Sequence, residues 1–167
     1  VPFDLLFHVR HLRHAATLAR DFPALPLVID HLAKPHIKEG RTDDWLPHLK
    51  AAAAFPNVHC KLSGMVTEAG PRWTVAGLRP YAEVVLDAFG PARVMFGSDW
   101  PACLPAASYA DVTSAARELT AALTREEQAL VFGGTATRVY GLPAAGTCES
   151  ACHGEIRFNR GPARRGW

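Results

Sequence analysis

The chain has 167 residues, 49% of them hydrophobic and 20% charged, with a formal net charge of +2. That length builds one domain with a real core rather than two, and so small a net charge argues against a nucleic-acid or membrane partner. No apolar run approaches the ~20 residues of a membrane span, and the first ten residues are too short and wrongly flanked for a signal peptide, so a cytoplasmic protein is expected. The four cysteines, Cys60, Cys103, Cys148 and Cys152, do not read as a disulfide framework.

In chain order, Pro2 to Val9 reads as a strand, followed by a helical pattern with Leu12, Ala15, Ala16 and Ala19 spaced by three and four. Pro23 to Pro26 ends that helix, and Leu27 to His31 is a second, buried strand whose last residue is a histidine. Asp43 is placed to cap a helix carrying Leu46, Leu49, Ala52 and Ala53 on one face, stopped by Pro56 and Asn57. A third strand, Asn57 to Ser63, alternates Val58, Cys60 and Leu62 with His59, Lys61 and Ser63, so one of its faces is polar. After a loop from Gly64 to Trp73, Pro80 suits the first turn of a helix with Tyr81, Val84, Val85, Ala88 and Phe89 as its buried stripe, ended by Gly90 and Pro91. A fourth strand, Arg93 to Ser98, follows. Ser108 with Asp111, and Thr124 with Glu127, have the spacing of capping boxes opening two more helices, and a last helical turn or two ends at Tyr140 and Gly141.

Four strands, each followed by a helix, predict an α/β fold of parallel βαβ units. Two closures fit: a small open doubly wound sheet, or half of a (β/α)₈ barrel, whose full form typically needs ~250 residues. The polar face of the third strand favours the barrel, because inward residues near the carboxyl end of a barrel strand line a site. The same rule singles out Arg-Val-Met-Phe-Gly-Ser-Asp-Trp-Pro (Arg93 to Pro101): an apolar strand is broken at Gly97 and leaves Asp99 and Trp100 at the mouth. His31 ends another strand. An aspartate to accept a proton from water and an imidazole near a carbonyl oxygen are what ester hydrolysis requires.

Leu-Val-Ile-Asp-His-Leu-Ala-Lys-Pro (Leu27 to Pro35), Asn-Val-His-Cys-Lys-Leu-Ser-Gly (Asn57 to Gly64), the Arg93 to Pro101 stretch and Phe-Gly-Gly-Thr-Ala-Thr-Arg-Val-Tyr-Gly-Leu (Phe132 to Leu142) together resemble the carboxyl-terminal half of the amidohydrolase-2 type of metal-dependent hydrolase. The likeness is greatest to its L-fuconolactonase and L-rhamnonolactonase branch and covers nearly all of Val1 to Leu142. It implies a partial (β/α)₈ TIM barrel, strands five to eight plus terminal helices, from an enzyme that opens a small-molecule sugar lactone. By the resemblance Asp99 is the general base, and His31 helps hold a metal or polarises the lactone carbonyl. Lys61 is a candidate cation for the developing oxyanion, its alternative being a structural pairing with a carboxylate. Ser63 lies on the same strand face, and Trp100 is placed to stack on the sugar or to shield the loop; these three are the candidate substrate-binding residues.

The family's His-x-His on the first strand has no counterpart among the eight histidines. His31 and Asp99 alone make too few ligands to hold zinc tightly, so the cofactor expectation is zinc or another divalent metal, or none. His8, His11 and His14 read as solvated helix-start residues. The resemblance therefore describes an incomplete site, with self-association or pairing with an amino-terminal half expected of the exposed edges. A non-catalytic half-barrel or assembly module, and a small-anion-binding α/β domain, are the competing functions. Residues 143–167, rich in Gly, Ala and Arg, are expected to be disordered, and Cys148, Cys152 and His153 miss the haem-attachment spacing by one residue.

Overall fold

The computed structural model describes residues 1–143; the expectations for the tail, including Cys148, Cys152 and His153, lie outside them apart from Pro143 itself. Four parallel strands form one sheet, β1 (Phe3–Leu5), β2 (Leu27–Ile29), β3 (Val58–Leu62) and β4 (Val94–Phe96), in the order in which they occur in the chain. A doubly wound sheet reverses its strand order at a switch point. This sheet does not, so the arrangement is that of four successive units of a (β/α)₈ barrel, and the doubly wound alternative is set aside. The register carries the alternation across every strand: Leu5, Ile29, Cys60 and Val94 pair in one row, and Asp4, Val28 and His59 in the next.

The first row faces the helices. Between β1 and β2 the chain forms α1 (Val9–Leu12) and α2 (Ala15–Asp21); α3 (Leu46–Ala53) precedes β3, and α5 (Val75–Phe89) precedes β4. Helix α5 packs on both α3 and β3, and the core between the layers is Leu5, Leu12, Ile29, Leu49, Cys60, Leu62, Val85 and Val94, all essentially buried. A short helix α4 (Met65–Ala69) follows β3 directly. After β4 come α6 (Tyr109–Leu119), α7 (Arg125–Ala129) and α8 (Thr135–Tyr140).

Both predicted capping boxes are present: Ser108 Oγ accepts from the Asp111 amide at 3.1 Å, and Thr124 Oγ1 from the Glu127 amide at 3.2 Å. Other boundaries move. Val9 opens a helix instead of closing a strand, and α3 starts at Leu46 with no side-chain cap, so Asp43 does not cap it. Helix α5 begins five residues before Pro80, capped by Thr74, whose Oγ1 accepts from the Gly77 amide at 3.1 Å. Pro80 therefore sits inside the helix. The carbonyl of Ala76, deprived of its partner, belongs to an exposed residue where water can serve it. At the amino-terminal end of the sheet Arg93, half-buried, donates to the carbonyls of Ala53, Phe55, Val58, Ala88 and Phe89 and so ties the ends of α3 and α5 to the start of β3. Cys60 and Cys103 are buried free thiols.

Candidate active site

Strand β2 stops at Ile29, two residues short of its sequence-read end, because the backbone turns left-handed. His31, Leu32, Ala33 and Lys34 have φ of 51, 54, 60 and 55°, four consecutive non-glycine residues in a region that costs ~1–2 kcal/mol each. Tertiary contacts hold them there. Leu32 and Ala33 are fully buried, and the buried indole of Trp45 donates from Nε1 to the Leu32 carbonyl at 2.7 Å. Tyr81 packs against Trp45 with ring centroids 5.5 Å apart, and its hydroxyl donates to the carbonyl of Arg41 at 3.1 Å. The turn aims His31 across the carboxyl end of the sheet.

Asp99 arrives from β4 in the same backbone region, at φ 58°, just before a cis Trp100–Pro101 peptide. His31 Nε2 and Asp99 Oδ1 stand 3.7 Å apart, both largely shielded from solvent. They do not belong to adjoining strands: β3 lies between β2 and β4. They meet because the chain leaving β3 is slim. A Cβ on Gly64, itself at φ +68°, would come within 2.8 Å of the His31 Cβ, and one on Gly97 within 3.0 Å of the Ser63 Cβ. Ser63, buried, places its Oγ 2.9 Å from His31 Nδ1, which orients the ring and leaves Nε2 for Asp99. From α4, Thr67 Oγ1 donates to Asp99 Oδ2 at 3.1 Å, leaving Oδ1 facing the imidazole.

Lys61 is placed elsewhere on the same strand face. Its Nζ is 2.6 Å from Asp30 Oδ1 and 3.3 Å from Asp4 Oδ2, and 5.5 Å from the centre of the Tyr140 ring. Burial works against its charge, but the bonds to Asp30 and Tyr140 more than offset this and raise its pKa above the ordinary lysine value. Tyr140 donates to Asp4 Oδ1 at 2.5 Å, and burial, then that carboxylate, push its phenol up to about 12. Lys61 is thus occupied by two carboxylates, the pairing weighed as the alternative to substrate binding, and it braces the residue immediately before His31. Trp100 is 63% exposed on the rim. The structure therefore brings His31, Ser63 and Asp99 together, and keeps Lys61 and Trp100 out of that group.

Four residues of this region were not singled out from sequence. Thr67 lay in a stretch read as loop; Asp30 and Tyr140 carried no spacing signal. Asp4 did offer one, a carboxylate in an otherwise apolar strand. Among the described residues no group of three or more His, Cys, Asp or Glu side chains could hold a metal ion, so His31 and Asp99 are two candidate ligands without a third. Their chemistry suits one nonetheless: an imidazole whose second nitrogen is engaged, beside a carboxylate oxygen with no other partner. The amide of His8 donates to His11 Nδ1 at 3.3 Å, and His14 precedes α2; all three lie at helix starts, His8 and His14 exposed and His11 half-buried.

The amidohydrolase family model matches residues 1–142. An L-fucono-1,5-lactonase of Burkholderia ambifaria is 42% identical over 144 residues, covering 84% of this chain and 50% of that protein, and the L-fucono-1,5-lactonase of Burkholderia multivorans is 43% identical over 155 residues, covering 84% and 51%. A crystal structure of an amidohydrolase from Burkholderia multivorans with bound zinc superposes with a TM-score of 0.78 at 42% identity, over 84% of this chain and 52% of that one. The chain spans about half the length of the relatives it matches. With a matching model over most of its length and a barrel-type sheet that ends in the His31–Asp99 pair, the chain belongs to the amidohydrolase family.

Proposed function

We propose that this chain supplies the proton-handling wall of a lactone-opening site that acts on a sugar-acid lactone of the L-fuconolactone kind. The observation that carries the reading is the approach of Asp99 Oδ1 to His31 Nε2, 3.7 Å, at the carboxyl end of a barrel-type sheet. Thr67 holds the other carboxylate oxygen, so Oδ1 is the atom that takes a proton from water as its oxygen adds to the ester carbonyl. The tetrahedral intermediate then collapses with cleavage of the ring C–O bond, and Asp99 returns the proton to the departing alkoxide, giving the open hydroxy acid. His31, held by Ser63, faces the region where charge develops on the carbonyl oxygen. A divalent ion, zinc or another, would take His31 Nε2 and Asp99 as two of its ligands and would supply Lewis-acid polarisation of that carbonyl.

The partner proposed for the site is a second four-strand unit bearing the His-x-His pair that this chain does not have. Among the described residues nothing pairs with the outer edge of β1, and Phe3, Leu6 and Phe22 beside it are each more than half exposed, which is the kind of surface that pairs or self-associates. The test measures acid release from L-fucono-1,5-lactone by the chain alone and after co-refolding with the half of the Burkholderia multivorans lactonase that this chain does not match, each with Asp99 and with Asp99→Asn. The co-refolded sample is expected to hydrolyse the lactone well above the chain alone and to lose about a thousandfold with Asp99→Asn. Hydrolysis that survives Asp99→Asn would remove the proposal.

A further inference from the structure

The histidines at the start of the first helix have no part in the site above, yet they belong to an unusual concentration of charge. Residues 8–14 hold His8, Arg10, His11, Arg13 and His14 and no acidic residue. Loss of solvation, and then the charges of Arg10, His8, His14 and Arg13, hold the pKa of His11 below its ordinary value. Arg10 Nε donates to His11 Nε2 at 3.0 Å. Among the described residues no carboxylate lies within ion-pair distance of Arg10, Arg13 or His48.

Across from α1, the start of α3 and the loop before it complete an open cleft of about 240 Å³, lined by Val9, Arg10, Arg13, His36, Asp44 and His48. Asp44 is the single carboxylate in it. Its Oδ2 takes Arg41 Nη2 at 3.2 Å and His36 Nε2 at 3.6 Å, whereas its Oδ1 is buried without a hydrogen-bond partner. Two guanidinium groups with no internal counterion attract an anion, and guanidinium suits the planar or tetrahedral oxygens of carboxylate and phosphate. A bare polyanion would set a negative group against Asp44. A molecule with a hydroxyl beside its anion would not, because the part of the Asp44 carboxylate that reaches the cleft, Oδ2, has lone-pair capacity left to accept from that hydroxyl.

We propose that this cleft binds a hydroxylated oxyanion, a sugar carboxylate or a sugar phosphate, with Arg10 and Arg13 on the anion and Asp44 accepting from a hydroxyl. None of its lining residues belongs to the His31–Asp99 group, so the inference does not rest on the lactone reading. The test titrates the full ¹⁵N-labelled chain at constant ionic strength with D-gluconate and, separately, with glucose 6-phosphate, following amide shifts; sodium chloride, glucose and acetate are the controls. Saturable shifts confined to residues 9–14 and 44–48 are expected with at least one of the two ligands, and which of them binds distinguishes the carboxylate from the phosphate class. Arg13→Ala should weaken that binding about tenfold or more, and Asp44→Asn should abolish the advantage of gluconate over acetate, or of glucose 6-phosphate over inorganic phosphate, without abolishing anion binding. The absence of saturable shifts up to about 50 mM, identical shifts with chloride, or unchanged binding in Arg13→Ala would each overturn the proposal.

Discussion

Gly64→Ala tests the geometry that lets two non-adjacent strands share one site. The new Cβ would stand at φ +68°, which costs a non-glycine residue ~1–2 kcal/mol. It would also meet His31 at 2.8 Å from Cβ and 2.9 Å from both Cγ and Nδ1, well inside ordinary van der Waals separation. His31 has no easy retreat, because its backbone is pinned in the left-handed turn by the Trp45 bond to Leu32. Rotating the imidazole relieves the contacts to Cγ and Nδ1 but not the one to Cβ, and it breaks the ring's contact with Ser63 Oγ, forfeiting ~1 kcal/mol more. The sum is ~2–3 kcal/mol, read as a lowered midpoint in urea denaturation followed by circular dichroism. A double-mutant cycle isolates the part due to the ring: in a His31→Gly background the clash has no partner, so the cost of Gly64→Ala should fall by ~1 kcal/mol or more. A loss below ~0.5 kcal/mol, or an equal loss in both backgrounds, would refute the argument that Gly64 is there to admit His31.

Three further outcomes follow from the same region and its surroundings. Lys61→Met removes the ammonium that is, among the described residues, the one partner of Asp30 Oδ1 and the cation beside Asp4; because the ion pair retains some solvent access, the loss should be ~2–3 kcal/mol rather than the 3–5 of a fully buried pair, measured by the same denaturation. His59, buried on the inner sheet face with an unpartnered Nδ1, has its pKa lowered by burial first and by Arg138 next. The stability that its neutral form confers is therefore present above the ordinary histidine value of ~6.5 and is lost as pH falls below it, by at most ~1.4 kcal/mol per pH unit; His59→Gln should flatten that part of the stability–pH curve, and an unchanged slope would show that His59 is not its source. Thr67→Val frees Asp99 Oδ2 and should reduce lactone turnover by the co-refolded enzyme about tenfold with little change in stability; equal turnover would show that Thr67 does not orient the base.

The strand–helix alternation, the polar face of β3, both capping boxes and the positions of His31 and Asp99 at strand ends were all readable from local pattern. Side-chain period and cap chemistry are properties of a few neighbouring residues, and each survives whatever the rest of the chain does. The same locality explains the errors. By residue type Pro80 suits a helix start, where its missing amide is harmless, but Thr74 caps earlier and exposure of Ala76 lets the helix carry the proline. Asp43 looked like a cap by residue type, whereas α3 begins after Trp45, the residue whose indole holds the turn at Leu32.

Local patterning is enough to set out the βα units and the residues that arrive at the carboxyl ends of the strands, since period-two and helical patterns are written along the chain. Tertiary structure alone decided that β3 stands between the two site strands and is slim enough at Ser63 and Gly64 to let them meet. It also decided that Lys61 is taken by Asp30 and Asp4, and that four successive residues from His31 to Lys34 run left-handed. The reason is physical: a left-handed run is unfavourable for each of those residues in isolation, and only burial of Leu32 and Ala33 with the Trp45 hydrogen bond, all contributed by packing against distant segments, makes it the stable conformation.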